Sequence, residues 1–155
     1  MTGASLPERL AGLLREGAPA IVVSVGADGF GHAAMTWAVA GAHDITAPGV
    51  VRFVVDGGST TEINLRRDGR ASLQVIGGDD LVALIKGPAR ERRARIDAAP
   101  FAMAMWEMTV ADVKDQSWGP VAVSPLTYEW RGPEAETLRR IEQAVLAELR
   151  GWSGD

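Results

Sequence analysis

The sequence predicts a mainly β protein, with about six antiparallel strands and helices at the start, middle and end of the chain. β-Branched runs follow one another through short turns, which favours antiparallel neighbours over crossover connections. Six such strands can close into a small barrel and so remove exposed sheet edges. The 155 residues, 46% hydrophobic and 23% charged, fit one compact domain spanning residues 1–155.

Each strand is predicted from an apolar run bounded by turn residues. The turn GADG joins the first two runs, and GGDD, with Asp79 and Asp80, joins the fourth to the fifth. Arg52 interrupts an otherwise apolar third run. The strands are expected over residues 19–25, 30–40, 50–56, 70–77, 81–91 and 121–130.

Four segments have helical patterns. The first begins with a capping box of Ser5 and Glu8 and ends at Gly17. The second begins at Ser59, which forms a further capping box with Glu62. A third pattern runs over 91–114, with Arg92 and Arg95 on a solvated face and its apolar side chains as core or interface filler. Pro133 opens the closing helix. The apolar side chains singled out in the last two segments are Met103, Met105, Trp106, Met108, Leu138, Ile141, Val145 and Leu149.

Charge and composition exclude several classes of protein. The net charge of −4 disfavours a nucleic-acid partner, because a polyanion needs a concentrated basic face. No stretch is long and apolar enough to cross a bilayer, and the N-terminus lacks a secretory pattern, so we expect a cytoplasmic protein without a membrane partner. The absence of cysteine excludes disulfides and thiolate metal sites. Two histidines without an acidic cluster predict no metal site.

Side chains for catalysis are few. His32 and His43 are the only histidines, and no nucleophile-elbow pattern accompanies a serine. His43 and Asp44 could form half of a catalytic dyad, but a loop histidine beside an aspartate is usually solvated. No residue stands out as a general acid or base, so the catalytic residues are unassigned. An enzyme of this composition would let a cofactor carry the reaction.

The order of the motifs resembles the FMN-binding split β-barrel family, the relatives of pyridoxamine 5'-phosphate oxidase. The resembling features are the hairpin VSVGADGFGHAAMTW, a strand ending at VVDGGS, a short helix with NLRRD, the strand ASLQV, and SPLTYEW as a final barrel strand. The resemblance implies a six-stranded antiparallel split β-barrel, FMN as the cofactor, and a homodimer whose subunits share two flavin sites.

Transferred by position, the resemblance places candidate FMN contacts on three segments. One segment borders the flavin ring and the phosphate tail, a second is the phosphate-binding start of the short helix, and the last lies on the following strand. Each residue also has an ordinary structural role open to it, such as strand packing or helix capping. The candidates are Met35, Thr36, Trp37, Ser59, Thr60, Thr61, Asn64 and Gln74.

The phosphate-binding segment departs from the family pattern. Most members have Arg or Lys directly after the serine, where this chain has Thr60 and Thr61. The phosphate would therefore depend on hydroxyls, backbone N–H groups and the helix dipole, which contributes about 0.3–1 kcal/mol at exposed sites. Arg66 and Arg52 are the candidates for the missing positive charge.

The leading functional hypothesis is an FMN-dependent oxidoreductase acting on a small organic substrate. A second hypothesis keeps the barrel but replaces FMN with F420 or with haem, for which His32 could be a ligand. A third is a dimeric binding or sensing module without catalysis. In the dimer, Trp106 and Trp118 are expected at or near the subunit contact, since a monomer would expose a large apolar surface.

Overall fold

The computed structural model describes residues 4–41 and 49–154. Within these ranges, seven strands and three helices follow one another. They are α1 (Glu8–Glu16), β1 (Ala18–Val25), β2 (Gly31–Gly41), β3 (Val50–Asp56), α2 (Thr60–Asp68), β4 (Arg70–Ile76), β5 (Val82–Arg93), β6 (Met103–Thr109), β7 (Asp112–Asp115) and α3 (Ala135–Gly151).

Six strands close into an antiparallel barrel. The strand order is β4-β1-β2-β3-β6-β5, and β4 also pairs with β5, which completes the ring. The additional strand β7 pairs with the first half of β5. The predicted mainly β fold with a six-stranded antiparallel barrel is therefore confirmed.

Strand alternation separates the barrel interior from its outer surface. On β1, Ala20 and Val22 face inward and are almost fully buried, whereas the alternate residues Ile21 and Val23 are only partly buried. Leu65 of α2 and two leucines of α1 pack against the same interior cluster. α1 lies on the barrel because it buries its apolar stripe there. α2 buries one leucine together with the polar side chains of Thr61, Glu62 and Asn64.

The closing helix α3 covers part of the outer surface. Val145, Leu146 and Leu149 pack in a second cluster with outward side chains of β2, β3 and β6. Consequently β6 is buried on both sides: Trp106 lies in the interior cluster, whereas Met105 lies under α3. Within the described part of the chain, none of the helices is long and apolar enough to cross a membrane.

The predicted helix over 91–114 is wrong. This region holds the end of β5, all of β6, most of β7 and the turns between them. A strand covered on both faces has a continuous apolar run without period-two alternation, so its sequence resembles a buried helix. The prediction that its methionines are core filler is confirmed, since Met103, Met105 and Met108 are at most 1% exposed.

The two arginines of this region do not share a helix face: Arg95 is exposed in the turn after β5, as a solvated residue would be, whereas Arg92 is not. Arg92 lies near the end of β5, and its guanidinium donates to the Gly154 carbonyl at 2.6 Å. Its side chain is only 17% exposed, so it does not belong to a solvated helix face.

The predicted last strand over 121–130 is also wrong. These residues have no regular secondary structure and lie outside the barrel, where the Leu126 N–H donates to the Ile76 carbonyl at 2.9 Å. The sixth barrel strand is β6 instead. At the N-terminus, α1 begins at Glu8 without a side-chain cap, so the predicted capping box of Ser5 does not form.

Candidate functional site

A tight corner connects β3 to α2. Gly58 has a positive φ of 78°, a conformation that favours glycine, and Ser59 follows it as the helix N-cap. The Ser59 hydroxyl accepts the backbone N–H of Glu62 at 3.2 Å, and the Ser59 N–H donates to the Asp56 carbonyl at 3.2 Å. The predicted helix start at Ser59 is confirmed, and the corner brings the end of β3 against the first turn of α2.

Glu62 completes a variant of the predicted capping box. Its buried carboxylate accepts the N–H of Gly58 at 2.5 Å, one residue earlier than the usual partner at the N-cap. The other oxygen lies 2.9 Å from Arg66, which also pairs with Glu91 at 2.6 Å. Arg66, one candidate for the missing phosphate charge, is thus already engaged by two carboxylates.

Strands β2 and β3 separate beside this corner. Their ladder pairs Val39 with Phe53 but continues no further toward the start of β2. Beyond its end, the buried Thr36 hydroxyl donates to the Val54 carbonyl at 2.8 Å and bridges the gap. A cavity of about 60 Å³ lies here, and we call it the corner cavity. Its lining includes Met35, Thr36, Trp37, Val54, Asp56, Ser59 and Thr61.

The two threonines of the first helical turn face different cavities. Thr61 is 4% exposed and lines the corner cavity. Thr60 is exposed and lines a separate cavity of about 400 Å³ with His32 and Arg67, between the β1–β2 hairpin and α2. Among the hydrogen bonds of the described residues, the N–H groups of Thr60 and Thr61 have no acceptor. This is the usual condition of a first helical turn and leaves two donors for a ligand.

Asn64 belongs to a structural network instead of the corner cavity. Its buried amide donates to the Ser24 hydroxyl at 3.1 Å and accepts from Arg67 at 3.4 Å. These bonds join α2 to β1 and satisfy buried polar groups, which would otherwise be costly.

Gln74 lies on the outer surface of the barrel. Its amide donates to the Ala83 carbonyl at 3.1 Å and to the Gln116 side chain at 2.9 Å. In the register, Gln74 is opposite Ile21, and Ile21 is opposite Met35. Gln74 and Met35 therefore share one cross-strand row, about 10 Å apart over two strand spacings.

This row belongs to a larger half-exposed surface, which we call the outer face. It consists of the outward side chains of β2, β1, β4 and the first half of β5. Sequence reasoning missed most of it, although period-two alternation in these strands was available as the signal. The outer face comprises Ala33, Met35, Ile21, Val23, Ser72, Gln74, Leu84 and Lys86.

The remaining sequence candidates lie elsewhere. The buried Arg52 donates to Glu107 at 3.0 Å and to the Leu149 carbonyl at 2.8 Å, so it contributes no charge to the corner cavity. His43 and Asp44 lie outside the described residues. Within residues 4–41 and 49–154, no three acidic or histidine side chains form a group that could hold a metal ion.

The corner cavity presents hydrogen-bond donors that suit a phosphate ester. Thr36, Ser59 and Thr61 line it; the Thr36 hydroxyl donates to the Val54 carbonyl, whereas the hydroxyls of Ser59 and Thr61 can donate to a ligand. The two helix N–H groups without acceptors lie at the start of α2. The corner cavity adjoins the outer face, since Met35 belongs to both. Among the described residues, no cationic side chain lines the corner cavity, whereas the exposed Asp56 is part of its lining.

Comparison with known proteins identifies solved structures of the same architecture. No family model and no curated protein matches the chain. An F420 reductase is 14% identical, with a TM-score of 0.57 over 70% of this chain and 98% of its own. HupZ from Group A Streptococcus is 13% identical, with a TM-score of 0.59 over 72% and 94%.

A candidate pyridoxamine 5'-phosphate oxidase from Listeria innocua is 12% identical, with a TM-score of 0.52 over 70% of this chain and 96% of its own. At identities this low, the structural matches show the fold alone. The closed barrel, the gap bridged by Thr36 and these structural matches agree with one another. The chain has the split β-barrel fold of the pyridoxamine phosphate oxidase-like proteins.

Proposed function

We propose that the chain binds FMN and acts as a flavin-dependent oxidoreductase on a small organic substrate. The observation that carries this proposal is the convergence of three elements on the corner cavity. Met35, Thr36 and Trp37 come from β2, Asp56 ends β3, and Ser59 and Thr61 begin α2. Five of the eight sequence candidates are among these lining residues.

In this proposal the corner cavity holds the phosphate ester. The hydroxyls of Ser59 and Thr61 donate to phosphate oxygens, together with the N–H groups of Thr60 and Thr61. The positive end of the helix dipole adds a favourable contribution. Asp56 opposes the anion, while the charge of Glu62 is compensated by Arg66 and the Gly58 N–H.

The outer face then supports the flavin ring. Ile21 and Met35 present half-exposed apolar side chains in one row, and the amide of Gln74 follows them. Apolar contact favours stacking of a planar ring, and one amide fixes its orientation through a hydrogen bond. FMN, when bound, supplies hydride or electron transfer.

A homodimer is part of the same proposal. Met35 is 49% exposed and Trp118 is 68% exposed, although both are large and apolar. A partner subunit would cover these side chains and a ring lying beside Met35. Trp106 is 2% exposed inside the barrel, so the predicted role at the contact remains only for Trp118.

A module without catalysis is the second candidate function. It is favoured by Glu62, whose carboxylate already occupies the Gly58 N–H at the helix start. The F420 alternative would use the same outer face. Haem ligation by His32 would require a different place, since His32 lines the cavity between the β1–β2 hairpin and α2 and not the corner cavity.

The absorption spectrum of the purified protein tests the proposal. We expect flavin bands, or their appearance on addition of FMN, and release of FMN on denaturation. A colourless protein that takes up no FMN would contradict the proposal. A released chromophore identified as F420 or haem would select the alternative cofactor.

A further inference from the structure

We propose that a second pocket on the outer face binds the anionic group, carboxylate or phosphate, of a small organic ligand. Identifying this ligand as a substrate rests on the proposed function. Anion binding in the pocket does not depend on that function. Its volume is about 500 Å³, within the range of small-molecule sites. We call it the cationic pocket, and its lining includes Val23, Arg70, Ser72, Lys86, Pro88 and Ala111.

The lining combines an apolar floor with two cations and a hydroxyl. Val23, Pro88 and Ala111 provide apolar contact, and Ser72 provides a hydroxyl between them. Lys86 is directly opposite Ser72 in the β4–β5 register. Within the described residues, no carboxylate lines the pocket. An organic anion with an apolar body therefore matches the pocket better than a cation or a neutral polar molecule does.

The two cations are held in different ways. Asp68 accepts from Nε and Nη2 of Arg70, at 2.6 and 2.8 Å, which orients the guanidinium. This side-chain hydrogen bond lowers the pKa of Asp68 to about 2. Lys86 lies 3.5 Å from Asp112, and both side chains are about half exposed. Such an exposed, long pair is weak, so Lys86 can turn toward a ligand at little cost.

The position of the pocket relates it to the proposed flavin platform. Lys86, Ser72 and Val23 occupy one cross-strand row, and Leu84, Gln74 and Ile21 occupy the next. The two rows are two residues apart along each strand, or about 7 Å. A ligand anchored at Lys86 would thus place its apolar body beside a ring lying over Ile21.

The test is a titration of the full-length, isotope-labelled protein with phenyl phosphate and with benzoate, followed by backbone amide NMR. Benzyl alcohol is the neutral control for the apolar body. We expect the anions to shift the amides of Val23, Ser72 and Ala111, and we expect little shift with benzyl alcohol. The anion that binds more tightly shows whether the pocket prefers a phosphate or a carboxylate group.

Two variants with the same change of charge make the test specific. Lys86→Gln should lower the affinity for the more tightly bound anion about tenfold, since charge-assisted hydrogen bonds are stronger than neutral ones. Lys114→Gln, on the neighbouring strand and outside the pocket, should leave its affinity within about twofold. Amide dispersion reports whether each variant is folded. Equal weakening by both variants, or equal shifts with benzyl alcohol, would overturn the proposal.

FMN titration of the same variants separates this proposal from the function. If FMN does not bind but the amide shifts caused by the anion depend on Lys86, the proposed flavin function is contradicted and the anion site is supported. If FMN binds and Lys86→Gln reduces its affinity as strongly as that of phenyl phosphate, the pocket holds the cofactor phosphate. That result would overturn the separate anion site.

Discussion

Arg52 and Glu107 form an ion pair that is buried between β3 and β6. The Nε and Oε2 atoms lie 3.0 Å apart, and each side chain is less than one-tenth exposed. Arg52 also donates to the Leu149 carbonyl at 2.8 Å, near the end of α3. Arg90 reaches the other Glu107 oxygen at 3.2 Å. This pair therefore joins two barrel strands to the helix that covers them.

Glu107→Gln should destabilise the protein by about 3 kcal/mol, because it leaves the buried charge of Arg52 without its partner. Urea denaturation measures the change in the free energy of unfolding. Glu136→Gln is the matched control, since Glu136 pairs with Arg139 on an exposed face of α3 and should contribute less than about 1 kcal/mol. Equal effects of the two substitutions would contradict the buried pair.

The same pair makes stability depend on pH. Burial raises the pKa of Glu107, but hydrogen bonds from Arg52 and Arg90 together with nearby charge outweigh it, so the pKa lies below its ordinary value. A lowered pKa in the folded state stabilises the protein above the unfolded pKa of about 4.3, and this is lost as pH falls through the folded pKa. The stability difference between wild type and Glu107→Gln should therefore shrink in acid. A difference independent of pH down to about 3 would contradict this account.

Tyr128, the single tyrosine, should resist ionisation in the folded protein. Burial raises its pKa, and the neighbouring Glu142 carboxylate raises it further. Its hydroxyl donates to the Trp37 carbonyl at 3.2 Å, and its ring lies edge-on to Trp130. Ultraviolet absorbance at about pH 11 should show tyrosinate only after denaturant is added, since the unfolded pKa is about 10.

The sign of this effect is opposite to that of Glu107. A raised pKa in the folded state contributes stability below the unfolded pKa of about 10, and that contribution is lost as pH rises through the folded pKa. A native titration of Tyr128 near pH 10, coincident with that of the denatured protein, would contradict the burial of its hydroxyl.

Gly87 is required by a close approach between β5 and the chain after β6. A Cβ at this position would lie 2.0 Å from the Thr109 carbonyl oxygen, whereas a Cβ at Gly78 would meet nothing within 4 Å. Gly87→Ala should lower the free energy of unfolding by roughly 1–3 kcal/mol, since backbone must shift. Gly78→Ala is the control and should be nearly neutral. Thermal denaturation of both variants checks the expectation, and equal melting temperatures would refute it.

Trp118 tests the proposed homodimer. Sedimentation velocity should show a dimer at micromolar concentration, and Trp118→Ser should weaken it, because apolar area at the contact is lost. Phe101→Ser removes another partly exposed aromatic side chain and serves as the control. A wild-type monomer at that concentration would contradict the dimer, and equal weakening by both variants would exclude a specific role of Trp118.

The sequence predicted those elements that carry local signals. Ser59 identified the corner correctly, and the apolar runs of β1 and β4, bounded by turn residues, identified its neighbouring strands. β6 was missed because α3 covers its outer side, so Met105 is as buried as its inward neighbours and no alternation remains. Residues 121–130 have the composition of a strand, but they form no strand in the structure, and β5 pairs with β7 instead. Pairing of this kind is a tertiary choice that local pattern does not encode.

The candidate site was predicted only in part, for a similar reason. The sequence placed Thr60 and Thr61 together, whereas the first turn of α2 directs them to different cavities. It also proposed Arg52 for the phosphate, but its strand register points the guanidinium toward Glu107. The order of the motifs predicted the position of the corner cavity. Which side chains line it depends on three-dimensional packing.

FMN titration of Thr61→Val and Thr60→Val tests the role of the corner cavity most directly. Both changes remove one hydroxyl and keep the backbone N–H, but only Thr61 lines the corner cavity. Flavin fluorescence should show that the wild type binds, that Thr61→Val weakens binding about tenfold, and that Thr60→Val changes it less than about twofold. No binding by the folded wild type, or equal losses in the two variants, would contradict a phosphate held in that cavity.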